Sequence, residues 1–193
     1  RHWLTDACFP LWSERGVGAN GLFRESLGLD HQGTDSETTR VRVQARQTYV
    51  FCEALRLGWE PEDAMDHIGA GLATLTGPAL RADGLTGRRI DTVDLTLKDD
   101  TADLYDAAFV LFALAEADRV TGGEEGALPA AHALLAAIDT HMKSPDGGWL
   151  EALPHDGMRH QNPHMHLLEA CLALHAADPE GGHLERAAGI VAL

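Results

Sequence analysis

The sequence predicts an all-α fold, a ring of paired helices with short β-hairpins along one rim, of which this chain supplies roughly the first half. Two observations carry that expectation. Apolar residues recur at helical spacing in successive segments, and glycine-rich turns separate those segments. Two connecting stretches, GLFRESL at 21–27 and GGWLEAL at 147–153, also fit one pattern, G-x-[FW]-x-E-[SA]-L. A repeated helix–hairpin–helix unit can bury its apolar face only against its neighbours, so the units curve into a ring. Closing an (α/α)6 toroid takes six helix pairs, and the pattern here shows roughly seven helices.

Taken in order, Trp3 to Arg15 reads as the first helix. Thr38 to Leu57 is the second, with Val41, Ala45, Thr48 and Cys52 on one face and Gly58 to end it. Pro61 sits at the first position of a third helix that runs to about Thr76. Asp100 to Val120 is a long apolar helix stopped by Gly122-Gly123. Pro129 opens a helix that reaches Lys143 before SPDGG breaks it. Asn162-Pro163 reads as a cap plus first-turn proline, and a last helix starts near Gly182. GPALRADGLTG at 77–87 resembles a degenerate middle copy of the repeat, and PHDG at 154–157 a tight turn. One domain is expected over 1–193, incomplete at its C-terminal end.

Composition sets the outer limits. Hydrophobic residues are 45% and charged residues 23% of the chain, as in an ordinary globular domain. A net charge of -15 argues against nucleic acid or an anionic membrane as partner, since phosphates call for a basic face. The apolar run AAFVLFALA at 107–115 is too short to cross a bilayer. Cys8, Cys52 and Cys171 are odd in number and lie in apolar helical context, which points to free thiols and a cytoplasmic setting.

The chemistry-bearing stretch is RHQNPHMHLLEACLAL at 159–174. With a helix starting at the proline, His166 shares a column with Ala170, Ala173 and Ala177, a space left either for a cavity or for close helix packing. His164 falls on a different column with Leu168, Cys171 and His175. Zinc would want two histidines at i, i+4 with a carboxylate near. His160 and His164 have that spacing only if the helix extends back through Pro163, so no metal ligand is assigned. His166 suits general acid–base work, because neutral imidazole titrates near working pH. A purely structural role stays open. On the second helix Arg42, Arg46, Tyr49 and Glu53 form a stripe, read either as a solvated face with an Arg46–Glu53 pair or as a guanidinium aimed at a sugar. Tyr105, Phe109 and Phe112 form another, more often core than site.

These residues resemble the N-acylglucosamine 2-epimerase superfamily. HQNPHMHLLEACLAL is similar to its N-x-H-M-H-x-x-E-A string, RVRVQARQTYVF at 40–51 to its Q-A-R-Q helix, and DLYDAAFVLFALA at 103–115 to its L-Y-D-x-A-F-V helix. The resemblance covers essentially the whole chain. It implies an (α/α)6 barrel and a sugar 2-epimerase or aldose–ketose isomerase that needs no metal or other cofactor. Carried over by motif, Arg46 would bind the carbonyl end of the sugar, Tyr105 and Asn162 would contact hydroxyls, and His166 would be one of two proton-transfer histidines. Glu169 and His164 would support them. The family often has a polar residue where Ala107 stands, and its members are about twice as long, so the partner histidine is not in the matched strings.

Several functions follow as alternatives. A free monosaccharide, with mannose and fructose as the leading pair, is favoured over a sugar phosphate by the lack of a basic cluster near His166. A glycoside hydrolase would need two cavity carboxylates, for which Glu25 and Glu151 are the candidates. A non-catalytic module would expose the apolar edge of a half-ring. The expected partner is a monosaccharide, and a homodimer is the candidate assembly.

Overall fold

The computed structural model describes residues 2–123, 126–155 and 160–193. A π-type turn, Leu4–Cys8, runs directly into α1 (Phe9–Arg15). Then follow β1 (Thr38–Arg40), α2 (Val41–Arg56), α3 (Pro61–Leu75), β2 (Arg89–Asp91), β3 (Leu97–Asp99) and β4 (Ala102–Asp103). The rest comprises α4 (Leu104–Thr121), α5 (Ala127–His141), β5 (Ala152–Leu153), α6 (Gln161–Ala177) and α7 (His183–Val191). α2, α4 and α6 pack side by side as an inner layer, and α3, α5 and α7 each back the inner helix that precedes them. This is the expected all-α half-ring. α4 is the middle inner helix, buried along most of its circumference from Leu104 to Ala117, which explains why its apolar residues show so little sidedness.

The repeat is deeper than the seven-residue pattern suggests. Gly21, Gly84 and Gly147, each 63 residues after the last, take φ of 82°, 81° and 87°. Each follows Asn or Asp and closes an equivalent tight turn: Gly18 N–H to Leu22 O, Arg81 N–H to Leu85 O, and Ser144 N–H to Gly148 O. A non-glycine side chain would be strained at these φ values. The middle copy at 77–87 is therefore a true copy, degenerate in sequence but not in backbone. The same position of each copy, four residues past the glycine, pairs with the residue just before the next inner helix. Glu25 binds Arg40, Arg88 binds Asp103, and Glu151 binds His160. Charge is inverted in the middle copy, and Thr86, Arg89 and Ile90 also depart from the seven-residue pattern.

Strands join successive copies. β1 pairs antiparallel with β2 (Thr39↔Ile90), and β4 with β5 (Asp103↔Ala152). Val41 N–H donates to Arg88 O, and Leu104 N–H to Glu151 O, so each inner helix starts against the next copy's turn. For this reason Thr38 and Asp100 do not begin helices, as the sequence suggested: Thr38 belongs to β1, and Asp100 lies between β3 and β4, ahead of α4. Asp103 caps α4, its carboxylate accepting from the Tyr105 and Asp106 amides, and Gly122 ends the helix at φ 68°.

At α6 the expectation needs correction. The helix begins at Gln161 with His160 as the preceding residue, so Asn162 is not the cap and Pro163 lies third in the helix. Proline is tolerated there because the first-turn amides have no intrahelical acceptor in any case. The PHDG turn falls partly outside the described residues. Met165 and Leu172 of α6, Leu184 and Val191 of α7, and Leu193 are exposed apolar residues.

Candidate active site

The starts of the three inner helices converge on one rim. They surround a polar cleft of about 590 Å³ lined by Arg40, Arg42, Arg46, Asp103, Tyr105, Glu151, His160, Asn162 and Pro163. Three of the four sequence-derived residues, Arg46, Tyr105 and Asn162, line it directly. His166 lies one turn deeper on α6 and meets the same group through its ring. Its imidazole stands edge-on to Tyr105 at 4.9 Å and against Phe109 at 4.7 Å. Arg46 Nη2 donates to the Tyr105 hydroxyl at 3.0 Å, and its guanidinium covers the Phe109 ring at 4.2 Å. Residues 46, 105, 109 and 166 are thus brought into one cluster.

The second-helix stripe separates on inspection. Arg46 is not paired with Glu53: Glu53 is bound by Arg56, and Tyr49 packs on Phe112 at 5.0 Å. Arg42 Nη1 donates to Asp106 Oδ1 at 2.9 Å. Asp106 is fully buried, and its Oδ2 has no hydrogen-bond partner. Burial pushes the Asp106 carboxyl above the ordinary range, and the bond from Arg42 offsets only part of that. Sequence reasoning missed Asp106, although it lies in the L-Y-D string. Phe109 was read as core; it is instead the surface on which Arg46 and His166 both rest. Ala107 is buried and does not reach the cleft.

The three histidines have distinct surroundings. His164 is a satisfied structural residue: its Nδ1 faces His160 O at 3.0 Å, and its Nε2 accepts from the Trp149 amide at 3.1 Å. His160 is held by Glu151. His166 Nδ1 lies 2.7 Å from Glu169 Oε2. α6 does extend back through Pro163, so the stated reason for excluding a shared metal was wrong, but each ring is engaged with a different partner. The alanine column of His166 serves helix packing, with Ala170 and Ala173 buried against α4.

A second correction concerns charge. The sequence near His166 lacks a basic cluster, yet folding brings Arg40, Arg42 and Arg46 from the start of α2 to the same cleft. Two are offset by carboxylates, Arg40 by Glu25 and Arg42 by Asp106. Arg46 is held by the Tyr105 hydroxyl and two ring faces.

Comparison with known proteins agrees with the motifs. The family described as N-acylglucosamine 2-epimerase (GlcNAc 2-epimerase) matches residues 21–193. The chain is 36% identical over 166 residues to mannose-6-phosphate isomerase of Rhizobium meliloti (strain 1021), covering 84% of this chain and 42% of that protein. The fold superposes on D-mannose isomerase with a TM-score of 0.85 at 20% identity, covering 96% of this chain and 48% of the other. It matches cellobiose 2-epimerase from Spirochaeta thermophila DSM 6192 with a TM-score of 0.85 at 22% identity, covering 99% and 51%. The chain spans about half the length of these relatives.

Proposed function

The chain belongs to the N-acylglucosamine 2-epimerase family, and from that premise we propose that it acts in metal-independent isomerisation or 2-epimerisation of a monosaccharide, with mannose and fructose as the leading pair. The observation that carries this reading is the convergence of Arg46, Tyr105 and His166 from three different inner helices. A carboxylate facing Nδ1 requires that nitrogen to carry the proton, so Glu169 fixes His166 with its lone pair on Nε2. Nε2 then takes the proton from the carbon beside the sugar carbonyl. The electron pair flows onto the carbonyl oxygen as an enediolate, which Arg46 stabilises with a charged donor. Tyr105 and Asn162 hold hydroxyls. Passing the O2 hydroxyl proton to O1 and returning the carbon proton to the neighbouring carbon gives isomerisation, and returning it to the opposite face of the same carbon, with the carbonyl re-formed at O1, gives epimerisation. A second histidine would assist that return. The reading places the protein in the cytoplasm, with a homodimer as its candidate assembly; no helix among the described residues is long and apolar enough to cross a membrane.

Three guanidiniums around one cleft favour a second substrate, a sugar phosphate, as the name of the Rhizobium relative also suggests. A hydrolase is less well supported. Glu25 lines a separate cavity with Arg24 and Thr39, while Glu151 lines the cleft, so the two carboxylates do not share one site. The test incubates the intact protein with mannose and with mannose 6-phosphate and follows ketose formation. Turnover is expected to fall by about 10²–10⁴ in His166→Ala. Unchanged turnover in that variant overturns the role of His166, and the ratio of kcat/KM for the two sugars decides between substrates.

A further inference from the structure

We propose that His132, Asp178 and His183 form a binding site for a divalent ion of the zinc class, which ties α5 to the turn between α6 and α7. Asp178 Oδ2 lies 3.1 Å from His132 Nε2 and 3.4 Å from His183 Nε2. One ligand atom from each residue lies within 4.8 Å of the others. Zinc–nitrogen and zinc–oxygen bonds of about 2.0–2.2 Å in tetrahedral geometry put neighbouring ligand atoms roughly 3.3 Å apart, close to both carboxylate contacts.

Three further observations point to an ion rather than to a simple ion pair. His183 is 2% exposed; its Nδ1 has no hydrogen-bond partner, and its Nε2 meets only Asp178, at 3.4 Å and outside hydrogen-bond geometry. A buried imidazole left so is costly, and coordination of one nitrogen would relieve it. The His132 and His183 rings lie nearly parallel, 5.5 Å apart at 26°, beside the same carboxylate. Finally, a Cβ at Gly181 would sit 2.2 Å from Asp178 Oδ2 and 2.3 Å from His183 Nε2. Glycine keeps open the space between the ligand atoms.

Two imidazoles and a carboxylate form a donor set suited to zinc or cobalt, with His132 half-exposed so that water can complete the shell. The site is remote from the sugar chemistry. From His166 to Asp178 along α6 is about 18 Å at the helical rise of about 1.5 Å per residue, so the ion is structural and leaves the proposed reaction metal-independent.

The test treats the chain with chelator, then titrates it with Co²⁺ and Zn²⁺ near pH 7.5, reading Co²⁺ absorption and calorimetric stoichiometry. The expected result is one ion per chain, tetrahedral Co²⁺ bands, and a thermal midpoint that rises with Zn²⁺ concentration. His132→Ala, at an exposed position, is expected to weaken binding more than about tenfold, and Gly181→Ala to block it. His166→Ala is expected to bind as the parent does. Absence of binding by the parent overturns the proposal, as does equal affinity in His132→Ala. If Gly181→Ala does not fold, the comparison with His132→Ala still decides.

Discussion

Replacing Glu25 should unfasten the start of α2, and the structure sets the size of the effect. Its Oε1 accepts the Arg40 amide at 2.5 Å, and its Oε2 accepts Nε and Nη2 of the same guanidinium at 2.8 and 2.5 Å. Glu25 is 17% and Arg40 34% exposed at the side chain, so water reaches Arg40 and the ion pair must be discounted to about 1 kcal/mol. Stranding the partly buried Arg40 amide adds about 1–2 kcal/mol. Glu25→Ala should therefore cost about 2–3 kcal/mol, a fall of roughly 5–10 °C in Tm for a chain of this size. Glu25→Gln keeps an oxygen for the amide and should cost about 1 kcal/mol. Burial alone would raise the Glu25 carboxyl, but the bonds and charge of Arg40 outweigh it and hold the pKa below 4.5. A carboxylate lowered in the folded state contributes its stability above the unfolded pKa and loses it as pH falls through the folded one. Urea unfolding followed by circular dichroism should thus show a constant gap between parent and Glu25→Gln from pH 7 to pH 5, narrowing below about pH 4.5. A gap that widens with acid, or no gap at pH 7, refutes the assignment of Glu25 as the fastener of α2.

Two further outcomes test the same architecture. Asp103→Ala should destabilise by about 2 kcal/mol against about 1 for Arg88→Ala, because Asp103 both pairs with Arg88 and caps α4; equal losses in urea unfolding would show that the cap contributes nothing. Gly71→Ala should cost about 1–3 kcal/mol of overpacking, since the added Cβ would lie 2.0 Å from Thr48 Oγ1 where α3 presses on α2; a more stable variant by the same measurement would mean that the two helices separate freely.

Periodicity carried the fold where one face of a helix decided its environment. α2 and α3 follow from their apolar columns, and α4 from a run that only the middle of an inner layer could bury. Strand residues were harder to see, because β1 and β4 are only 3 and 2 residues long and pair with the next copy rather than with a local neighbour. Position 88 shows the same limit. A motif search for Glu rejects Arg88, while the physical requirement is only a charge opposite to that of the residue ahead of the helix. Gln44 stands in the Q-A-R-Q string beside Arg46, but its side chain is fully buried and bonds both the amide and the carbonyl of Phe23. Asp106 and the basic character of the cleft arise from contacts over about sixty residues of separation, which a single sequence does not display.

Counting from the first residue of each inner helix explains why the site was legible in pieces. Arg42, Tyr105 and Asn162 occupy the second position of α2, α4 and α6, and Arg46, Phe109 and His166 the sixth. Positions four apart share a helix face, so each inner helix contributes one outer and one deeper residue to the same rim. The outer layer is polar and borders the cleft. In the deeper layer the phenyl ring of Phe109 lies against both the cation of Arg46 and the imidazole of His166. That ring stands between the charge and the base, while Arg46 itself remains exposed to the cleft. On any one helix such a pair of residues is indistinguishable from a solvated stripe or a patch of core. Its chemical meaning comes from the repeat, which sets three helix starts at one height and so turns three ambiguous stripes into one ring.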